Sequence, residues 1–214
     1  MIVKNLSFLL SLRAWNMLVP LISYPYLIRT LGSENYGLVI LAQAVVFYFN
    51  VIVQLGFEMA GTRKVAVIRE DINKLSDYYC SVICSKLILC CLSSAVFLLI
   101  VYNVNSMEHH SVLYLIVFSS VFFDVFHSNW FFRGIEQPKY VIFFSIISKT
   151  LSLFFIFFLI DSKSDYLYLA IINTFASAFS AILSVVIILR LKVVVFSMPS
   201  LTSMRLAITD SLPF

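Results

Sequence analysis

Residues 78–104, YYCSVICSKLILCCLSSAVFLLIVYNV, form an unbroken apolar run with one formally charged side chain, Lys86. A helix needs about 20 predominantly apolar residues to cross a bilayer, and this run exceeds that length. A transmembrane β-strand would instead alternate over about ten residues. Moving outward in both directions, five more runs of the same kind occupy about 6–30, 36–57, 112–132, 140–160 and 166–189. The expected fold is therefore all-α, a polytopic membrane bundle of six transmembrane helices.

Composition excludes a water-soluble domain. Hydrophobic residues make up 61% of the chain and charged residues 12%, and mean hydropathy is +0.98. A soluble domain carries roughly a quarter charged residues. The first run is too long for the apolar core of a signal peptide and lacks a small-residue cleavage site, so it reads as a retained helix.

The cations fix an expected orientation. With the N-terminus in the cytoplasm, Lys4, Arg13, Arg63, Lys64, Arg69, Lys74, Arg133, Lys139, Arg190, Lys192 and Arg205 fall inside, whereas Arg29 and Lys163 fall outside. Such an excess obeys the positive-inside rule. The formal net charge of +4 is thus a topological signal. A nucleic-acid partner is not expected, because the sequence has no clustered basic face on a soluble surface.

Lys86, Asp124 and Lys149 lie well within their runs. At a rise of about 1.5 Å per residue, each sits about 12–14 Å from the cytoplasmic end, near the middle of a hydrocarbon core about 30 Å thick. Each such charge costs at least ~2.5–3.5 kcal/mol there, which marks functional positions. Their common level predicts one polar chamber for a polar or charged cargo. An internal salt bridge of Asp124 with Lys86 or Lys149 is the alternative, and it leaves one lysine unmatched for an anionic ligand. His127, one turn from Asp124, offers a proton relay, since histidine titrates near neutral pH.

Helical periodicity gathers further polar residues on single faces. Tyr36, Gln43, Asn50 and Gln54 share one side of the second run, and Gln43 and Asn50 are taken as substrate-binding candidates. Ser120, Asp124, His127 and Ser128 share a side of the fourth. Ser145, Ser148, Lys149 and Ser152 do so in the fifth, and Asn173, Ser177, Ser180 and Ser184 in the sixth. Helix packing through small polar residues explains the serines without a ligand. Cys80, Cys84, Cys90 and Cys91 read as small hydrophobes, and Glu108-His109-His110 as a solvated turn.

Three segments carry a family resemblance: PYLIRTLGSENYG at 25–37, LGFEMAGTRKVAVIRED at 55–71 and NWFFRGIEQPKY at 129–140. In this order and spacing the chain resembles the bacterial O-antigen and capsule repeat-unit flippases of the multidrug/oligosaccharidyl-lipid/polysaccharide exporter superfamily. Drug and sodium antiporters of that superfamily match the WFFRGIE segment less well. The resemblance implies a carrier of undecaprenyl-diphosphate-linked oligosaccharide in the bacterial inner membrane. It implies six helices per lobe, a cationic cavity, no organic cofactor, and coupling to H⁺ or Na⁺ left open. Arg29 would meet the diphosphate on release, or else snorkel to outer headgroups.

Family members carry a second lobe. Residues 1–195 then correspond to an N-terminal lobe, and 196–214 to a cytoplasmic linker and the start of an absent seventh helix. The other half of the path would come from a second lobe or a second copy, with O-antigen polymerase machinery as a further partner. A truncated chain without transport activity is the alternative. A membrane-embedded enzyme of envelope synthesis would need a catalytic constellation on a large loop. The longest loop, about 58–77, is too short, so no enzymatic activity is expected.

Overall fold

The computed structural model describes residues 2–195 and 199–211, with side chains described for 15, 17–195 and 199–211. Every regular element among them is helical: α1 (Ile2–Gln54), α2 (Phe57–Ile68), α3 (Ile72–Asn103), α4 (Asn105–Glu108), α5 (Ser111–Val125), α6 (Asn129–Gly134), α7 (Lys139–Leu159), α8 (Tyr166–Leu191) and α9 (Leu201–Ser211). Parts of the expected linker and seventh-helix start, 196–198 and 212–214, lie outside the described residues, as do the side chains of Lys4 and Arg13.

The chain is a multi-pass membrane protein. Five stretches are long and apolar enough to span a bilayer, against the six expected, because the first two runs share one helical stretch. At about 1.5 Å per residue, α1 would extend about 80 Å if straight. It is broken at Gly32, whose φ of 81° and ψ of 158° belong to a region open essentially to glycine. The arms on either side fold back on each other, since the rings of Tyr24 and Tyr36 are 6.1 Å apart. The Tyr26 hydroxyl donates to the Ile160 carbonyl at 2.7 Å, and the Asn35 amide donates to the Lys163 carbonyl at 2.7 Å. These bonds hold the α1 bend against the α7–α8 connection.

The opposite end of the bundle is more elaborate than the expected loop. Most of 58–77 is helical: α2 occupies Phe57–Ile68, and α3 begins at Ile72. Asp71 caps α3, its carboxylate accepting from the Lys74 N–H at 3.1 Å. Hydrogen bonds from Lys74 hold that carboxyl below its ordinary range. The helix start is therefore secured above the ordinary carboxylate pKa and loosens as pH falls through the lowered one.

α2 packs on α6, so two of the segments that carried the family resemblance meet face to face. A Cβ on Gly61 would lie 2.7 Å from the Trp130 ring, and one on Gly134 would lie 2.5 Å from Val65 Cγ1. Arg133 pairs with Glu58 at 2.8 Å, and Arg69 with Glu136 at 2.5 Å. Helix α9 lies against α2 and α3, with Ala207 and Ser211 buried and Asp210 3.5 Å from Lys64.

Within the bundle an aromatic knot joins α1, α3 and α5. Phe97 stacks on Phe118 at 4.1 Å, and Phe49 meets both edge-on at 5.2 and 5.9 Å. Large apolar side chains such as Met17, Phe47, Phe154 and Phe158 point outward, as suits contact with lipid. The expected continuous fourth span, 112–132, is interrupted. Helix α5 stops at Val125, and α6 restarts at Asn129. The freed backbone is satisfied internally, as membrane depth requires: the Ser128 N–H donates to Ser184 Oγ at 3.2 Å. The Ser128 hydroxyl meets Phe126 O at 3.1 Å and the Tyr79 hydroxyl at 3.0 Å.

Candidate functional site

The interruption leaves Asp124 in the last turn of α5, where two other helices converge on it. Asn50 of α1 donates to Oδ2 at 2.6 Å, and Ser177 of α8 donates to Oδ1 at 2.6 Å. Each carboxylate oxygen thus has a neutral donor from a different helix. Lys86 of α3 is fully buried. Its ammonium donates to Gln54 Oε1 at 2.7 Å and lies 5.9 Å from the Phe57 ring centroid, within cation–π range. The Gln54 amide in turn approaches the Asp124 carbonyl at 3.5 Å. Lys86 and Asp124 are therefore linked through Gln54.

None of the ion pairs among the described residues includes Asp124, Lys86 or Lys149. The expected alternative of a direct Asp124–lysine salt bridge is not formed. A buried lysine held by one amide oxygen and one ring is costly to strand, since a hydrogen bond to a charged group contributes about 1.5–3 kcal/mol.

Beside this network lies a cavity of about 580 Å³ between α1, α5, α7 and α8, within the usual size range for ligand sites, about 300–1,000 Å³. Asp124, His127, Lys149 and Gln43 line it, with Arg133 and Asn129 at the α2–α6 end. Lys149 is half-buried and has no hydrogen bond or ion pair among the described residues. The buried Ser148 hydroxyl and Asn129 Oδ1 have no protein partner either. The wall thus presents a free ammonium among serine, asparagine and glutamine side chains, a set suited to an anion carrying hydroxyl groups.

The sequence-predicted residues divide accordingly. Asp124, Lys149 and Gln43 share the cavity, and Asn50 sits on Asp124. Lys86 stands behind the cavity and is absent from its wall. Arg29 is exposed near the Gly32 bend and lines neither this cavity nor its neighbour. Sequence reasoning passed over Gln54, Ser177, Asn173 and Arg133 as site residues. The periodicity of Gln54, Asn173 and Ser177 was visible, and Arg133 was read only as a cytoplasmic cation, but only the structure shows that Ser177 holds a carboxylate. Ser180 likewise faces His127 Nε2 at 3.2 Å.

A family model described as "Polysaccharide biosynthesis protein" matches residues 2–214. A "Putative O-antigen transporter" of Escherichia coli (strain K12) is 26% identical over 187 residues, covering 87% of this chain and 45% of that protein. A "Putative O-antigen transporter" of Shigella dysenteriae is 26% identical over 215 aligned residues, covering 99% of this chain and 53% of that protein. The chain spans about half the length of the curated relatives it matches. No solved structure matches it. The relatives are named as transporters, in keeping with the expectation that the chain is not an enzyme.

Proposed function

This chain belongs to the polysaccharide biosynthesis protein family, and from that premise we propose that it forms the N-terminal lobe, residues 1–195, of a flippase for undecaprenyl-diphosphate-linked oligosaccharides. The carrier serves O-antigen or capsule synthesis in the bacterial inner membrane, and this lobe acts with a second one. The observation that carries the reading is the cavity holding an unpaired Lys149 at membrane depth, beside hydrogen-bonding groups that suit sugars. A diphosphate and its sugars cannot cross hydrocarbon unaided, because burying charge and polar groups without partners is prohibitive. Lys149 supplies the counter-charge, and the isoprenoid tail stays in lipid.

Two further assignments belong to this reading. Asp124, Asn50, Gln43 and Lys86 form and brace the cargo-facing surface, and Arg29 meets the diphosphate near the outer face. The N-terminus lies in the cytoplasm. In support, Arg29 and Lys163 lie at the end where the Gly32 bend meets the α7–α8 connection. Arg63, Lys64, Arg69 and Arg133 lie at the α2–α6 end, an asymmetry of the kind that sets orientation.

Export in cells lacking their own repeat-unit flippase tests the proposal, using the full-length protein that contains this lobe. Lys149→Ala should lower surface O-antigen by about 10- to 100-fold, the loss of a charge-assisted contact. Lys149→Arg should retain most of it. Normal export by Lys149→Ala, with protein amount unchanged, contradicts the reading.

A further inference from the structure

A second cavity, of about 210 Å³, lies between the two arms of α1 and helices α7 and α8. Gln43, Lys149, Ser152 and Asn173 line both it and the larger cavity. The two spaces are therefore neighbours separated by these four side chains. Lys149 is the midpoint of α7, ten residues from Lys139 and ten from Leu159, or about 15 Å from either end. The first cavity runs from that level to Arg133 and Asn129. The second runs to Tyr24 and Tyr36, on either side of the Gly32 bend.

The second cavity differs chemically from the first. Asp124, His127 and Arg133 are absent from it, and Lys149 at the boundary is the charged residue among those described along its wall. That wall also carries the Tyr24 and Tyr36 rings, 6.1 Å apart and inclined at 55°, with the buried Ser23 and the amides of Gln43 and Asn173. Tyr24 is half exposed and Tyr36 partly buried, and both rings border the same space as a lysine and two amides. Rings offer apolar faces to C–H groups, and fixed amides and hydroxyls orient a ligand rich in hydroxyl groups. That combination suits a neutral sugar ring.

Resting on the flippase reading, we infer that the Tyr24–Tyr36 cavity is a sugar subsite on the far side of Lys149. It receives one sugar ring of the oligosaccharide while Lys149 holds the diphosphate at the shared boundary. The division of labour is specific: the lysine reads the anion, and the tyrosine pair reads the glycan.

The test compares two probes on the purified full-length protein in lipid nanodiscs. Undecaprenyl diphosphate carries the anion and tail alone, and undecaprenyl-diphosphate-linked oligosaccharide adds the sugars. Wild type should bind the sugar-bearing probe more tightly. The Tyr24→Ala/Tyr36→Ala double variant should lose about tenfold of that affinity with undecaprenyl diphosphate binding unchanged, and Tyr24→Phe/Tyr36→Phe should keep most of it. Lys149→Ala should weaken both probes. An unchanged sugar increment in the double alanine variant overturns the subsite while leaving the flippase reading intact. Equal loss of both probes also overturns it, because the tyrosines would then be structural. Failure of wild type to bind either probe overturns the flippase reading itself.

Discussion

Replacing Asp124 with alanine is expected to lower the amount of folded protein and, with it, export. The carboxylate is the meeting point of Asn50 on α1 and Ser177 on α8, each at 2.6 Å. Alanine leaves both donors without their carboxylate at a part-buried site beside the cavity. An orphaned buried polar group costs about 1–3 kcal/mol, and water reaching these part-buried donors from the cavity keeps each near the lower end, about 2 kcal/mol for the pair. Whole domains are stable by only about 5–15 kcal/mol. Asn50→Ala and Ser177→Ala each remove one donor and leave the carboxylate its other partner, so each should be milder. Thermal unfolding in detergent, measured beside the amount of membrane-inserted protein, reads the order. An Asp124→Ala protein that melts with wild type, or below neither single variant, contradicts the network's role.

A comparable loss is expected from Trp130→Ala, at a side chain that does not line the cavity. Trp130 is fully buried. It stacks on Tyr79 at 5.7 Å and meets Tyr78 edge-on at 6.1 Å, with Gly61 of α2 against its ring. Truncating a buried Trp typically costs about 3–5 kcal/mol, because the space left does not collapse fully. Gly134→Ala probes the same contact from the opposite direction. Its new methyl would lie 2.5–2.6 Å from Val65 and 3.0 Å from the Thr62 carbonyl, and the latter is backbone that cannot swing aside. Overpacking of this kind costs about 1–3 kcal/mol, more than the roughly 1 kcal/mol that alanine gains over glycine in a helix. Both variants should lower the melting temperature, Trp130→Ala the more. A Gly134→Ala protein as stable as wild type would show that the α2–α6 contact is looser than the geometry requires.

The spans were legible because hydropathy and length alone determine them, and 140–160 and 166–189 match α7 and α8 within one or two residues. The reversal at Gly32 was legible in outline as the polar break LGSENYG. The interior of 58–77 was not, since its apolar positions are few and are buried by α6, which lies more than 60 residues later in the chain. The α5 break resisted for a similar reason. His127, Ser128 and Asn129 favour a turn, but Ser184 and Tyr79 stabilise it, and both lie far away in sequence.

Depth and azimuth explain the partial success with the charged residues. Counting residues places Lys86, Asp124 and Lys149 at related levels, but a level does not say which way a helix face points. Lys149 faces the cavity, whereas Lys86 faces Gln54 and Phe57 behind it. Serine periodicity had the converse limit. It identified the correct faces of α7 and α8, yet packing and ligand roles look alike until Ser177 is seen on Asp124.

The central claim is that Lys149 stands in a water-accessible path that meets the anionic, sugar-bearing cargo. Thiol labelling tests it most directly, with Lys149→Cys placed in full-length protein whose Cys80, Cys84, Cys90 and Cys91 are replaced by alanine. A membrane-impermeant maleimide should label the thiol introduced at position 149. Undecaprenyl-diphosphate-linked oligosaccharide should slow that labelling while leaving a cysteine on the exposed surface of α2 unaffected. A thiol at position 149 that resists the reagent, or that reacts equally fast with and without the oligosaccharide, would contradict the account.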